Sequence, residues 1–155
     1  MQRTKRKCGF AEAEAGASLV ELALVLPVLL LLLMGAVDFG RAFYLAMEVA
    51  GAAHAGAEFG SQNPTDTAGI SSAATTDAPD VAGLTVATPT YGCECADGTG
   101  YSSNCGTAPS CPANNVVYPV TVKVTAPYTP WFPWPRIPAS ITLSNSATMR
   151  AGSNL

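Results

Sequence analysis

The chain has a single histidine, His54, and only eight basic residues, four of which lie within its first seven positions. One histidine and scattered acidic residues offer no acid–base pair and no nucleophilic triad, so an enzyme is the least expected class. No glycine-rich phosphate loop is present, and the chain beyond its N-terminus is mildly acidic, which argues against nucleic-acid binding. We expect no catalytic residue, cofactor, metal site or small-molecule substrate.

Charge is also scarce in one long stretch, Ala17–Val37, which carries only Glu21. A soluble helix has a polar stripe, whereas this stretch is apolar on every face from Leu22 onward. At about 1.5 Å per residue, a helix of this length covers the roughly 30 Å hydrocarbon core of a bilayer. The stretch therefore predicts a membrane-spanning helix.

Four basic residues precede this stretch, between Arg3 and Lys7. Positive charge that flanks a first transmembrane helix stays in the cytoplasm, so we expect a single-pass protein of the inner (cytoplasmic) membrane with residues 38–155 outside. A cleaved secretory signal is the alternative. It is disfavoured because the apolar run is long and no A-x-A site lies near Ala36.

The amino-acid composition of the rest of the chain changes from one segment to the next. The residues after the apolar stretch are rich in alanine and lack proline, so we expect the helix to continue outside the membrane. A short helix capped by Thr65 or Asp66 follows in a linker. The predicted parts are a cytoplasmic leader (1–16), a transmembrane helix (17–37), a helix extension (38–60), a linker (61–83) and a small antiparallel β domain (84–155).

Small residues recur at three- and four-residue spacing along the helix extension. They are Ala42, Ala46, Ala50, Ala53, Ala57 and Gly60. Such a stripe lets another backbone approach closely, and two partners stay open: a neighbouring helix or the chain's own sheet. His54 lies among these alanines, and we expect it to be solvated or at an interface, with no chemical role.

Two runs near the C-terminus, Val116–Tyr128 and Ser140–Arg150, alternate between apolar and polar residues. One buried and one solvent-exposed face indicate an antiparallel sheet. We expect Leu84–Thr90 to form a further strand of this sheet. The predicted fold class is α+β: a long N-terminal helix, half of it transmembrane, packed on a small antiparallel sheet of three or four strands.

Four cysteines fall within one loop-like stretch, residues 93–111: Cys93, Cys95, Cys105 and Cys111. In an oxidising compartment an even cluster indicates disulfides, and the spacing C-x-C-x9-C-x5-C lacks the paired ligands of a zinc knuckle. Cys93 and Cys95 are poorly placed to bridge each other, so we expect each to pair with Cys105 or Cys111.

Residues 127–138, PYTPWFPWPRIP, cannot form a regular element because prolines lack N–H donors. Two roles are open for Trp131, Phe132 and Trp134. They anchor the chain to a partner or to the bilayer surface, or they fold back and plug the open end of the core. We expect the plug, since burial of large apolar side chains stabilises a domain of this size.

The start of the apolar stretch, GASLVE from Gly16 to Glu21, resembles the type IV pilin (class III) signal. The resemblance implies that a membrane-embedded prepilin peptidase cuts between Gly16 and Ala17 and that the helix is retained. It also implies that Glu21 neutralises the new α-amine of a neighbouring subunit. A carboxylate in hydrocarbon costs on the order of 2–3 kcal/mol, and the alternative is that Glu21 reaches the headgroup region.

The longer segment GASLVELALVLPVLLLLLMGAVDFGRAFY, followed by AAHAGAEFG and much later by ATMR, resembles TadE-like proteins, the minor pseudopilins of tight-adherence (Flp) pilus systems. The matching positions are Pro27, Phe39, Gly40, Arg41, Gly56 and Ala57. Leu22 departs from the family's usual aromatic residue, and His54 and Glu58 stand where the family tends to have arginine. The cysteine stretch has no counterpart in the resemblance.

The resemblance implies a pilin-like protein whose partners are the lipid bilayer, a prepilin peptidase, other pilins or pseudopilins and the Tad assembly machinery. A second interpretation, of a different class, is a membrane-anchored binding module, adhesin-like, that is not built into a filament. The two interpretations differ in whether the subunit enters a pilus.

Overall fold

The computed structural model describes residues 11–107, 109–111 and 115–151, with side chains from residue 16 onward. The basic cluster Arg3–Lys7, predicted to fix the topology, lies outside these residues. One helix, α1 (Ala11–Gln62), contains the whole apolar stretch and the alanine-rich extension. The chain divides between Phe39 and Gly40 into two compact units.

The second unit contains the outer part of α1, a short helix α2 (Thr67–Asp77) and five antiparallel strands. Asp66, one of the two predicted caps, accepts a hydrogen bond from the Gly69 N–H at 2.9 Å and so satisfies a free donor in the first turn of α2. The predicted α+β class, with a long helix on a small antiparallel sheet, is confirmed.

The sheet is built around one long strand. The strands are β1 (Thr85–Val86), β2 (Thr90–Tyr91), β3 (Glu94–Cys95), β4 (Val116–Tyr128) and β5 (Ile141–Ala151). β5 pairs with β4 from Tyr118 to Tyr128, and β1, β2 and β3 pair with β4 one after another. Within the described residues the sheet thus has five strands rather than three or four, because the segment that pairs with β4 on the side away from β5 is divided into short strands.

Proline explains the first break, between β1 and β2. Thr85–Val86 faces Thr125 and Val124, whereas Thr90–Tyr91 faces Thr121 and Val120, so the segment gains one residue relative to β4. Pro89 lies within this bulge and is buried. Because proline cannot donate to a ladder, the expected continuous strand Leu84–Thr90 is wrong, and two short strands replace it.

The core lies between the outer part of α1, α2 and one face of β4. Alternate residues of β4 are fully buried: Val120, Val122, Val124 and Ala126. They meet buried alanines of α1 and the buried Ile70 of α2. A Cβ atom at Gly60 would lie 2.7 Å from Val120 Cγ1, so the absence of a side chain there permits the close approach of helix and sheet.

The small-residue stripe of α1 therefore has at least one of its two expected partners, the chain's own sheet. Ala53 and Ala57 are fully buried in the core, while Ala42, Ala46 and Ala50 are half-buried. The other buried positions on this part of α1 are Val49, Ala52, Gly56 and Gly60. Small side chains at these positions let α1 lie close against β4.

Candidate functional site

The apolar part of α1 is exposed on all sides of the helix. Every residue from Gly16 to Met34 is exposed, and its most apolar window has a mean hydropathy of 2.6 with none of it buried. Within the described residues it is the one helix long and apolar enough to cross a membrane. An exposed apolar surface of this length needs lipid or other helices around it, which indicates a single-pass membrane protein.

The predicted processing and assembly residues lie at the start of this surface. Gly16, Ala17 and Glu21 are all helical and exposed. Ala17 and Glu21 are four residues apart, so they share one face of α1, and no acidic or basic residue follows Glu21 until Asp38. A single carboxylate on an apolar surface is suited to pair with a positive group brought by a neighbouring helix.

Beyond the apolar part, α1 carries exposed aromatic and polar side chains. Phe43 and Tyr44 are 61% and 62% exposed. A side-chain hydrogen bond to Glu48, together with the negative charge of Glu48, raises the pKa of the Tyr44 hydroxyl. His54 and Glu58, the two positions where the family tends to have arginine, are exposed as well.

Residues 129–140, the aromatic loop, join β4 to β5 and lie on the surface. Trp131 is 64% exposed and Ile137 48% exposed, while Phe132 and Trp134 are half-buried and meet edge to face with ring centroids 6.5 Å apart. The buried core contains residues of α1, α2, the sheet and the segment between α2 and β1, but none from this described loop. The expected plug is therefore wrong.

Arg41 of α1 explains where the loop lies instead. The Arg41 guanidinium carbon is 3.9 Å from the centroid of the Trp131 ring and 5.8 Å from the centroid of the Tyr128 ring. A guanidinium over aromatic faces is attracted by the negative ring faces, and this attraction is stronger where water is partly excluded. The loop is thus held against α1 through the cation–π contact of Trp131 with Arg41 rather than inserted into the core.

The cysteine loop (residues 93–111) contains one disulfide, between Cys95 and Cys111, with Sγ atoms 2.04 Å apart. Cys93 and Cys105 carry thiols. Burial, and a side-chain hydrogen bond with Cys93, raise the pKa of the Cys105 thiol to about 11. The loop therefore brings the two remaining cysteines together, and a second bridge between them stays a prediction.

Two contacts of arginine residues were not anticipated from the sequence. In the structure Arg150 Nη2 donates to Glu94 Oε1 at 3.1 Å, which ties β5 to the start of the cysteine loop. Arg150 is 54% exposed, so the pair contributes little stability. No local sequence signal indicates either contact, because the partners are far apart in the chain.

Comparison with known proteins gives one family. Residues 16–58 match the model of the family described as TadE-like protein. Comparison with curated proteins and with solved structures gave no match. The matched segment covers the apolar stretch with Glu21 and most of the alanine-rich extension, which carry most of the sequence resemblance. The ATMR segment near the C-terminus lies outside the match. Over residues 16–58, therefore, the chain is similar to TadE-like proteins, as its motifs predict.

Proposed function

We propose that this protein is a minor pseudopilin of a tight-adherence (Flp) pilus system, processed by a prepilin peptidase between Gly16 and Ala17. The match to TadE-like proteins over residues 16–58 supports a component associated with such a pilus. The observation that carries the finer role is Glu21, the one charge on an otherwise apolar and fully exposed helix surface.

Cleavage after Gly16 would place a positive α-amine on Ala17, at the cytoplasmic end of the apolar stretch. A carboxylate in hydrocarbon costs on the order of 2–3 kcal/mol, and an opposite charge nearby reduces that cost. When α1 packs beside the helix of another subunit, Glu21 would neutralise the partner's α-amine. The pair would then favour assembly without being needed for insertion.

Replacement of Glu21 by Ala tests this role in cells that carry the pilus machinery. We expect normal amounts of E21A in the membrane, because removing the charge favours insertion. We also expect the amount in sheared surface filaments to fall by on the order of tenfold, since roughly 1.4 kcal/mol of lost pairing corresponds to that factor. Immunoblots of the two fractions measure both quantities.

The matched control is Glu58→Ala, which removes an exposed carboxylate from the same helix outside the apolar stretch. This variant should enter the filament fraction at the wild-type level. Wild-type filament content for Glu21→Ala, or an equal loss for both variants, would contradict the assembly role of Glu21.

A further inference from the structure

The aromatic loop is fixed at a defined position along α1. Its Trp131 ring lies 3.9 Å from the Arg41 guanidinium carbon, and Arg41 follows the last residue of the apolar stretch, Val37, by four residues. Four residues of α-helix rise about 6 Å. The headgroup layer on each side of the hydrocarbon core is about 5–8 Å thick. Arg41, and the ring that stacks on it, therefore fall within the depth of that layer if the apolar stretch fills the core.

The side chains that the loop exposes suit this layer. Trp131 is 64% exposed although one face of its ring stacks on Arg41, and Ile137 is 48% exposed. Arg136 is exposed next to Ile137 and has a positive φ of 72°. Tryptophan concentrates at membrane interfaces because its ring is apolar and its N–H is polar, and an arginine beside it can pair with lipid phosphate.

The adjacent part of α1 also carries exposed aromatic side chains. Phe43 and Tyr44 follow Arg41 by two and three residues and are both more than half exposed. Their backbone lies about 9–10 Å beyond Val37, but helical side chains tilt toward the N-terminus, so the two rings point back toward the headgroup layer, where aromatic residues concentrate. The loop thus adds its tryptophan to an aromatic cluster that the helix itself carries at the membrane exit.

We propose that the aromatic loop lies in the headgroup layer of the bilayer that α1 crosses, and that Arg41 positions it there by stacking on Trp131. The loop is then a second attachment of the exported domain to the membrane, in addition to the helix. This inference requires that Ala17–Val37 spans the bilayer. It does not require the pilus role.

Tryptophan fluorescence tests the proposal directly, because both tryptophans of the chain, Trp131 and Trp134, are in the loop. The full chain is reconstituted in phosphatidylcholine–phosphatidylglycerol vesicles whose phosphatidylcholine carries bromine either near the headgroup or near the end of the acyl chain. We expect most of the fluorescence to be lost with bromine near the headgroup, and less to be lost with bromine at the chain end.

Three results would overturn the proposal. Quenching by aqueous iodide together with no quenching by brominated lipid would place the loop in water. Protection from both quenchers would mean that protein, such as a second copy of the chain, covers the loop. Failure of the protein to float with the vesicles would contradict the membrane span itself. Because no pilus machinery is present, each result is independent of the assembly role of Glu21.

The role of Arg41 is tested in a Trp134→Phe background, where only Trp131 emits. Arg41→Ala should shift Trp131 quenching from bromine towards iodide, because the loop loses the contact that holds it at the membrane exit. The control is Lys123→Ala, which removes a cation from the exposed face of β4. Unchanged bromine quenching in Arg41→Ala would overturn the positioning role of Arg41.

Discussion

Asp97 stabilises the tip of the cysteine loop by accepting two hydrogen bonds from Thr99. Its Oδ1 accepts from the Thr99 N–H at 3.0 Å and from the Thr99 hydroxyl at 2.7 Å. The backbone closes the same turn, with Gly98 N–H donating to Cys95 O at 2.8 Å. These bonds favour the ionised carboxyl and lower the pKa of Asp97 below its ordinary value.

A pH dependence follows from this lowered pKa. Because the pKa is lower in the folded protein than in the unfolded chain, the contribution of Asp97 to stability is present above the unfolded pKa and is lost as pH falls through the folded pKa. Asp97→Asn should therefore have a lower Tm than the wild type at pH 7, and the difference should vanish in acid. A Tm difference that stays constant from pH 7 into acid would show that ionisation of Asp97 is irrelevant.

At the scale of elements, the close contact of α1 with β4 depends on glycine. A Cβ atom at Gly60 would lie 2.7 Å from Val120 Cγ1 and 3.2 Å from Ile70 Cδ1, which is closer than unstrained packing allows. Both neighbours are fully buried, so they have little space into which to move. A methyl group at this position must therefore separate the helix from the sheet or distort the side chains.

Gly60→Ala should destabilise the unit that contains the sheet by about 1–3 kcal/mol, the usual cost of overpacking a core. Gly40→Ala is the matched control, since the added Cβ meets no atom of another element within 4 Å and the helix gains about 0.5–1 kcal/mol from alanine. Thermal unfolding of the detergent-solubilised variants measures both effects. Equal stability of the two variants would contradict the described packing of α1 on β4.

Elements in which apolar and polar residues follow an uninterrupted pattern were predictable from the sequence. The alternation of Val120, Val122 and Val124 with polar residues predicted β4 from Val116 to Tyr128, as in the structure, because a period of two requires one buried face. The short strands β1, β2 and β3, which pair with β4, were less predictable. A single proline, Pro89, shifts the register by one residue, and propensity alone does not reveal how a chain bends around it.

Across the whole molecule, some residues of the candidate site are neighbours in the sequence, whereas others are far apart in the sequence and meet only in the fold. The segment from Gly16 to Glu21 on which the proposed processing signal rests is contiguous, so the sequence alone is sufficient to propose it. The position of the aromatic loop depends on Arg41 and Trp131, which are 90 positions apart in the chain. Apolar composition predicted burial in the core, but a cation–π contact with α1 holds the loop at the surface.

We propose that the protein crosses the membrane once and keeps its apolar helix after cleavage at Gly16. The most direct test is the intact mass of the protein extracted from the membranes of a host that carries its own prepilin peptidase. We predict a mature chain that begins at Ala17, and an uncleaved chain when Gly16 is replaced by Phe. A mature chain that begins at Met1 would contradict the processing, and one that begins beyond Val37 would contradict the retained membrane helix.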